Sequence, residues 1–301
     1  MSNSHFLFVG TAKAGTTSIF EYLRQHPEIE IPVKETFYFL RDVLTDFSLG
    51  YPAQRPKEEL ILDKSAFDSL YPQNSKKLYG EIGTGYLYHH DKSISLIKET
   101  LGEDVKILII LRNPVSRAYS SYMHFVKDVH EKLSFEKSMK MEAQRKAQHY
   151  DFMWMHRDMG LYYRQVKAFT KAFKNVKVII TEEFKENQAE EMRSILEFLE
   201  VNPDIQFNTS KEHNKSGEPK FKSLQRLITQ ENLVKKTLRP FFRAAFNKEK
   251  RAKMRKKVKN INIASYPPMS EETRRELVEF YLKDIEALEG LLGKSLQSWK
   301  N

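Results

Sequence analysis

Three short runs of the chain are apolar at nearly every position: Phe6 to Val9, Val105 to Leu111 and Val176 to Ile180. Each is rich in β-branched or aromatic residues and is followed by a polar turn or a helix signal, the pattern of a buried strand. Strands without polar alternation belong to a sheet covered on both faces, as parallel sheets are. A weaker run, Tyr79 to Ile82, predicts a fourth strand. Between the runs the period changes. Thr16 to Gln25 carries Ile19, Phe20 and Leu23 at helical spacing, and Pro114 to Val126 opens on a proline. A first helical turn accepts proline, because the missing N–H has no intrahelical partner there. Glu190 to Leu199 and Glu271 to Leu292 are amphipathic helices in the same sense. Strands alternating with helices predict an α/β fold of right-handed βαβ units. We expect a single domain over residues 1–301, with a central parallel sheet flanked by helices. Tyr51 to Pro72, rich in proline and mixed charge, reads as a surface excursion.

Composition supports a folded chain, with 40% hydrophobic and 12% aromatic residues in 301. There is no cysteine. Disulfides, thiolate nucleophiles, cysteine-ligated zinc and iron–sulfur clusters are thereby excluded. The net charge of +10 is uneven: twelve Lys or Arg residues and one acid, Glu249, fall between Lys235 and Lys259. The remainder is close to neutral, so the charge gives no general argument for nucleic-acid binding, and no nucleic-acid partner is expected. In that stretch Leu238, Phe241, Phe242, Ala245 and Phe246 interleave with Lys235, Lys236, Arg239 and Arg243, and Pro240 divides it. Two readings stand. Either residues 233–259 form an insertion or surface element that meets an anionic membrane, or the phenylalanines pack inward and the basic run is a solvated face. The N-terminus lacks the basic start and long apolar core of a signal peptide. No run approaches the ~18 apolar residues of a membrane span. The expected location is cytoplasmic, peripheral at the inner face of the membrane if the basic segment binds there.

The first chemical signal is Val9-Gly10-Thr11-Ala12-Lys13-Ala14-Gly15-Thr16-Thr17-Ser18. A buried strand runs into a glycine-bounded turn, and a helix starts at once. Such a turn aims backbone N–H groups and the positive end of a helix at one point, a P-loop-like phosphate-binding turn. The glycine spacing matches a Walker A loop, but Thr16 and Thr17 stand where Lys-Ser/Thr is required, and Lys13 lies inside the loop. The second signal begins where the apolar run ends in Leu111-Arg112-Asn113-Pro114. Arg112 takes the place of a Walker B aspartate, at the strand end where open α/β sheets bind ligands. Ser120 follows two turns into the next helix. Arg117 reads as a structural or solvated charge rather than a ligand. The nine histidines show no HExxH spacing, and adjacent His89 and His90 do not suit one metal ion, so no metal is expected.

Together the two motifs resemble those of the sulfotransferases that use 3′-phosphoadenosine-5′-phosphosulfate (PAPS), most closely the carbohydrate branch with the heparan sulfate enzymes and their bacterial relatives. The resemblance runs from Phe6 to Trp299. It implies PAPS as co-substrate, with Lys13, Ala14, Gly15, Thr16, Thr17 and Ser18 at its 5′ end and Arg112 and Ser120 at its 3′-phosphate. It implies a carbohydrate or glycolipid acceptor. His26-Pro27 and Pro32 to Phe39 resemble the family's HP…KExHFF element, which makes Glu35 the catalytic base beside Lys13. Gly80 to Tyr86 resembles its GEKTPxY element, with Ile82 where several heparan sulfate enzymes carry a lysine. Glu81 is the rival carboxylate. His213 to Gly217 resembles a loop of bacterial members, and Tyr266 to Met269 the closing segment. The KGR of many animal enzymes is absent, with Asn262, Ile263 and Ala264 there instead, which leaves Lys215 or Lys259 to close over the nucleotide. The alternatives are a P-loop nucleotide or small-molecule kinase, which would need magnesium, and a binding protein docked through Lys235 to Lys259.

Overall fold

Five strands, β1 (His5–Gly10), β2 (Ile29–Glu30), β3 (Leu78–Ile82), β4 (Lys106–Leu111) and β5 (Val176–Ile180), lie side by side in the order β2-β3-β1-β4-β5, all parallel. The computed structural model describes residues 5–44, 60–72, 77–205, 207, 218–219, 263–264 and 267–301. Its helices are α1 (Thr16–Leu23), α2 (Arg41–Leu44), α3 (Lys64–Ser69), α4 (His90–Leu101), α5 (Pro114–Lys127), α6 (Phe135–Lys140), α7 (Glu142–Ala147), α8 (Tyr162–Ala172), α9 (Thr181–Glu186), α10 (Gln188–Leu199) and α11 (Glu271–Leu292).

Alternation along each strand sends successive side chains to opposite faces, and both faces are covered. Phe6, Phe8, Leu108 and Ile110 pack with Ile19 and Leu23 of α1 and Ile195, Leu196 and Leu199 of α10. Leu7, Val9, Ile107, Ile109 and Leu111 face a larger core that draws on α4, α5, α8 and α11. The expected parallel α/β sheet, buried on both sides, is therefore the one observed. Each fully buried Leu, Ile or Phe stabilises it by roughly 1.5–3 kcal/mol.

The boundaries have local causes. α1 ends at Leu23, short of the expected Gln25, because the N–H groups of Gln25 and His26 turn back three residues, to the carbonyls of Tyr22 and Leu23, just before Pro27. α4 and α8 are additions to the sequence reading. The buried face of α4 includes Ser93, whose hydroxyl donates to Tyr86 O at 2.7 Å, and that of α8 includes Gln165, whose amide donates to Leu161 O at 2.7 Å. These polar residues interrupt the apolar period. The end of the expected surface excursion is not on the surface. Phe67 and Tyr71 are buried, and Phe67 stacks on Tyr38 with ring centres 4.2 Å apart.

The C-terminal helix locks onto this frame. Ser270 caps α11 by accepting from Thr273 N, and Asp284 accepts from Tyr162 N at 2.7 Å, capping α8. Trp299 is fully buried. A two-stranded antiparallel ribbon, β6 (Glu218–Pro219) with β7 (Ile263–Ala264), brings together the ends of the chain stretch that contains 233–259. The basic segment itself lies outside the described residues, as do Lys215, the His213 to Gly217 loop and Lys259. Among the described residues no helix is long and apolar enough to cross a membrane.

Candidate functional site

β1 lies between β3 and β4, so the carboxyl ends of these three strands meet where the strand order reverses, the place where open parallel sheets bind ligands. The turn leaving β1 is tightly specified. A Cβ at Gly10 would come within 2.9 Å of Leu87 Cβ and 3.3 Å of Thr84 O. Lys13 holds a left-handed φ of 70°, and Gly15 one of 90°. A Cβ at Gly15 would meet no protein atom within 4 Å, so glycine serves the conformation and keeps the approach to α1 open.

Two side chains decide which way this turn faces. Arg112, just past β4, donates through Nη1 to Lys13 O at 3.1 Å. The Thr181 hydroxyl, just past β5, lies 2.8 Å from Ala14 O and 2.7 Å from Leu111 O. The carbonyls of Lys13 and Ala14 are thus turned toward β4 and β5. In a planar trans peptide the N–H points opposite to its carbonyl. The N–H groups of Ala14 and Gly15 therefore point away from β4 and β5. Helix α1 has no side-chain cap and no acidic residue in its first turn, so nothing there offsets its positive end. Thr16 is buried, and Thr17 and Ser18 are half-buried in the same turn.

Two cations sit under strain in this corner. The Lys13 ammonium is lowered to about 8, chiefly by burial, then by the charges of Lys127 and Arg112. Arg112 is lowered as well, by burial, against the pull of Glu182. Both would be relieved by an anion. Arg112 is further fixed through its carbonyl, which accepts from Tyr162 OH at 2.9 Å. Asn113 then caps α5, its Oδ1 accepting from Ser116 N at 3.1 Å. Ser120 lies half-buried on α5, and beside it Tyr119 OH donates to Pro267 O at 2.7 Å, which brings the closing segment to the same helix. Arg117 is fully buried and donates to the His156 carbonyl, which makes it a structural residue and not a solvated one.

Glu35 reaches the site through its neighbour. Lys34 Nζ donates to Thr17 Oγ1 at 3.2 Å and lies 3.9 Å from Glu35 Oε1, with both side chains about one-third exposed or less, 32% and 27%. The segment after β2 thus folds back onto the start of α1, anchored by buried Phe37 and Phe39. Glu81 is only 1% exposed, hydrogen-bonded to Thr36 and Tyr86, and its carboxyl is raised to about 7, chiefly by burial. Its carboxyl is buried away from solvent. Sequence reasoning finds neither Thr181, nor the Lys34–Thr17 contact, nor the bonds that join Thr36, Glu81 and Tyr86. A hydroxyl directly after a strand was the one available signal for Thr181. Nothing in one sequence pairs residues 36 and 81. Among the described residues no group of three or more His, Asp or Glu could hold a metal ion. His89 is half-buried and lowered to about 4, mainly by burial.

Residues 3–262 match the model of the sulfotransferase domain family. The sulfotransferase structure from Alicyclobacillus acidocaldarius superposes with a TM-score of 0.73 at 31% identity, over 98% of each chain. Human carbohydrate sulfotransferase 15 is 25% identical over 43% of this chain and 30% of its own length. Mouse heparan sulfate glucosamine 3-O-sulfotransferase 3B1 is 24% identical over 64% of this chain and 45% of its own. The chain spans less than half the length of these curated relatives.

Proposed function

Because the chain belongs to the sulfotransferase domain family, we propose that it moves the sulfuryl group of PAPS to a hydroxyl, or less readily an amine, of a carbohydrate or glycolipid. The site supplies what an in-line displacement at sulfur needs: position, a base, and stabilisation of charge on the leaving phosphate. Lys13, the N–H groups of Ala14 and Gly15, and the hydroxyls of Thr16, Thr17 and Ser18 hold the 5′-phosphosulfate. As the bridging S–O bond breaks, Lys13 stabilises the negative charge that grows on the 5′-phosphate. Arg112 and Ser120 hold the 3′-phosphate, with Lys215 or Lys259, both outside the described residues, as the basic group that closes over the nucleotide. Glu35 accepts the proton of the attacking hydroxyl.

The observation that carries this reading is the Lys34–Thr17 contact, which brings a partly exposed carboxylate to the mouth of the phosphate turn while the rival Glu81 is sealed in the core. The test is transfer of labelled sulfuryl from PAPS to a panel of sugars, glycolipids and phenols. Against an accepted substrate, Glu35→Gln lowers turnover by about 10²–10⁴-fold and leaves the affinity for adenosine 3′,5′-bisphosphate unchanged. Near-normal turnover in that variant removes Glu35 as the base.

Residues 233–259 fit the same reading. A basic, phenylalanine-bearing segment would hold the enzyme at the inner, anionic face of a membrane, where lipid-linked acceptors lie. Co-sedimentation with vesicles should then rise with their content of anionic lipid. Equal binding to neutral vesicles would count against a membrane role.

A further inference from the structure

Glu81 is a buried acid that the proposed chemistry does not use. It stands near the end of β3, and the hydrogen bonds it accepts among the described residues fall on one oxygen. Oε1 accepts from Thr36 Oγ1 at 2.6 Å, from Thr36 N at 3.4 Å and from Tyr86 OH. Oε2 is buried and has no hydrogen-bond partner among the described residues. The next residue continues the attachment, since Ile82 N donates to Lys34 O at 2.8 Å. Lys34 and Thr36 flank Glu35. The chain on both sides of Glu35 is therefore tied to the end of β3, on one side through backbone and on the other through the Glu81 carboxylate.

We propose that Glu81 is a positioning residue for Glu35: through Thr36 it fixes the turn that presents Glu35. The proposal rests on Glu35 being the base. Burial raises the Glu81 carboxyl to about 7, and the bonds from Thr36 and Tyr86 oppose that. The bonds from Thr36 need only an acceptor oxygen at this place, which an amide supplies as well as a carboxylate.

Turnover against an acceptor from the panel tests this. Thr36→Val, which removes the hydroxyl held by Glu81, lowers kcat by about ten- to a hundredfold, the scale of a misplaced catalytic group, and Thr36→Ser restores it. Glu81→Gln, which keeps an acceptor oxygen, retains most of the turnover, and Glu81→Leu, which has none, falls as Thr36→Val does. Affinity for adenosine 3′,5′-bisphosphate stays constant in all of them, which also reports that each variant folds. If Glu35→Gln abolishes turnover while Thr36→Val and Glu81→Leu match the wild type, the positioning role falls and the base assignment stands. If Glu35→Gln turns over normally, the base assignment falls and the positioning role with it.

Discussion

At pH 7 the Lys13 ammonium, lowered to about 8 by burial and by the charges of Lys127 and Arg112, is still mostly protonated. A bound phosphate brings the opposite charge and raises its proton affinity again. Near pH 8, where about half the free protein has lost this proton, binding of adenosine 3′,5′-bisphosphate draws a proton from solution. Affinity is accordingly highest below 8 and falls as pH rises through it. Calorimetry in two buffers of different ionisation enthalpy reads the uptake directly. Lys13→Ala should bind more weakly and take up no proton; uptake that survives the substitution would assign it to another group. The same residue shows what a sequence can and cannot say. A lysine inside a glycine-bounded turn announces a phosphate. Its altered acidity comes chiefly from burial, then from the charges of Lys127 and Arg112, and only the fold supplies these.

At the level of elements, the turn after β1 is held from three strand ends. Thr181, at the start of α9, lies within hydrogen-bond distance of Ala14 O in the turn and of Leu111 O at the end of β4. Thr181→Val keeps the shape and removes the hydroxyl. The one proton it shares between two buried carbonyls is then lost, at a cost of about 1–3 kcal/mol, and the turn is freer to rotate its N–H groups away from the ligand. Denaturant unfolding and bisphosphate titration should both show the loss. Full affinity with full stability would mean that Arg112 alone orients the turn. The strands were legible because a run such as Lys106 to Leu111 is apolar on both faces. The start of the helix after Gly15 was legible because glycine and hydroxyls cluster there. α4 and α8 were not, because Ser93 and Gln165 sit on their buried faces and break the period. The packing of α3 against Tyr38 was hidden by a proline-rich, charged surround. Of the site, the two local motifs could be read in the chain. The Thr181 contacts, the Lys34–Thr17 bond and the Thr36–Glu81 bond join residues 17 to 167 positions apart, and their side chains carry no mark of the pairing.

For the whole molecule, the sheet order places the turn after β1 and Arg112 after β4 on neighbouring strand ends, so a ligand with an anionic group at each of two ends can meet both. That is the argument for a nucleotide phosphorylated at 3′ and 5′ over ATP. ATP gathers its charge in one chain, for which this protein offers Arg112 where a magnesium-binding carboxylate would be needed. Adenosine 3′,5′-bisphosphate at about 100 times its Kd should raise the unfolding free energy by roughly 2.7 kcal/mol. ATP with magnesium at the same concentration should do much less, and a chelator should leave transfer unaffected. Arg112→Ala sharpens the comparison. It should weaken the bisphosphate far more than adenosine 5′-phosphosulfate, which has no 3′-phosphate to lose. Arg112 also orients the turn through Lys13 O, so some loss is expected with both ligands. The difference between the two losses measures the 3′ contact, and the shared part measures the support given to the turn. Equal losses would confine Arg112 to support, and equal stabilisation by ATP with magnesium would return the chain to a kinase reading.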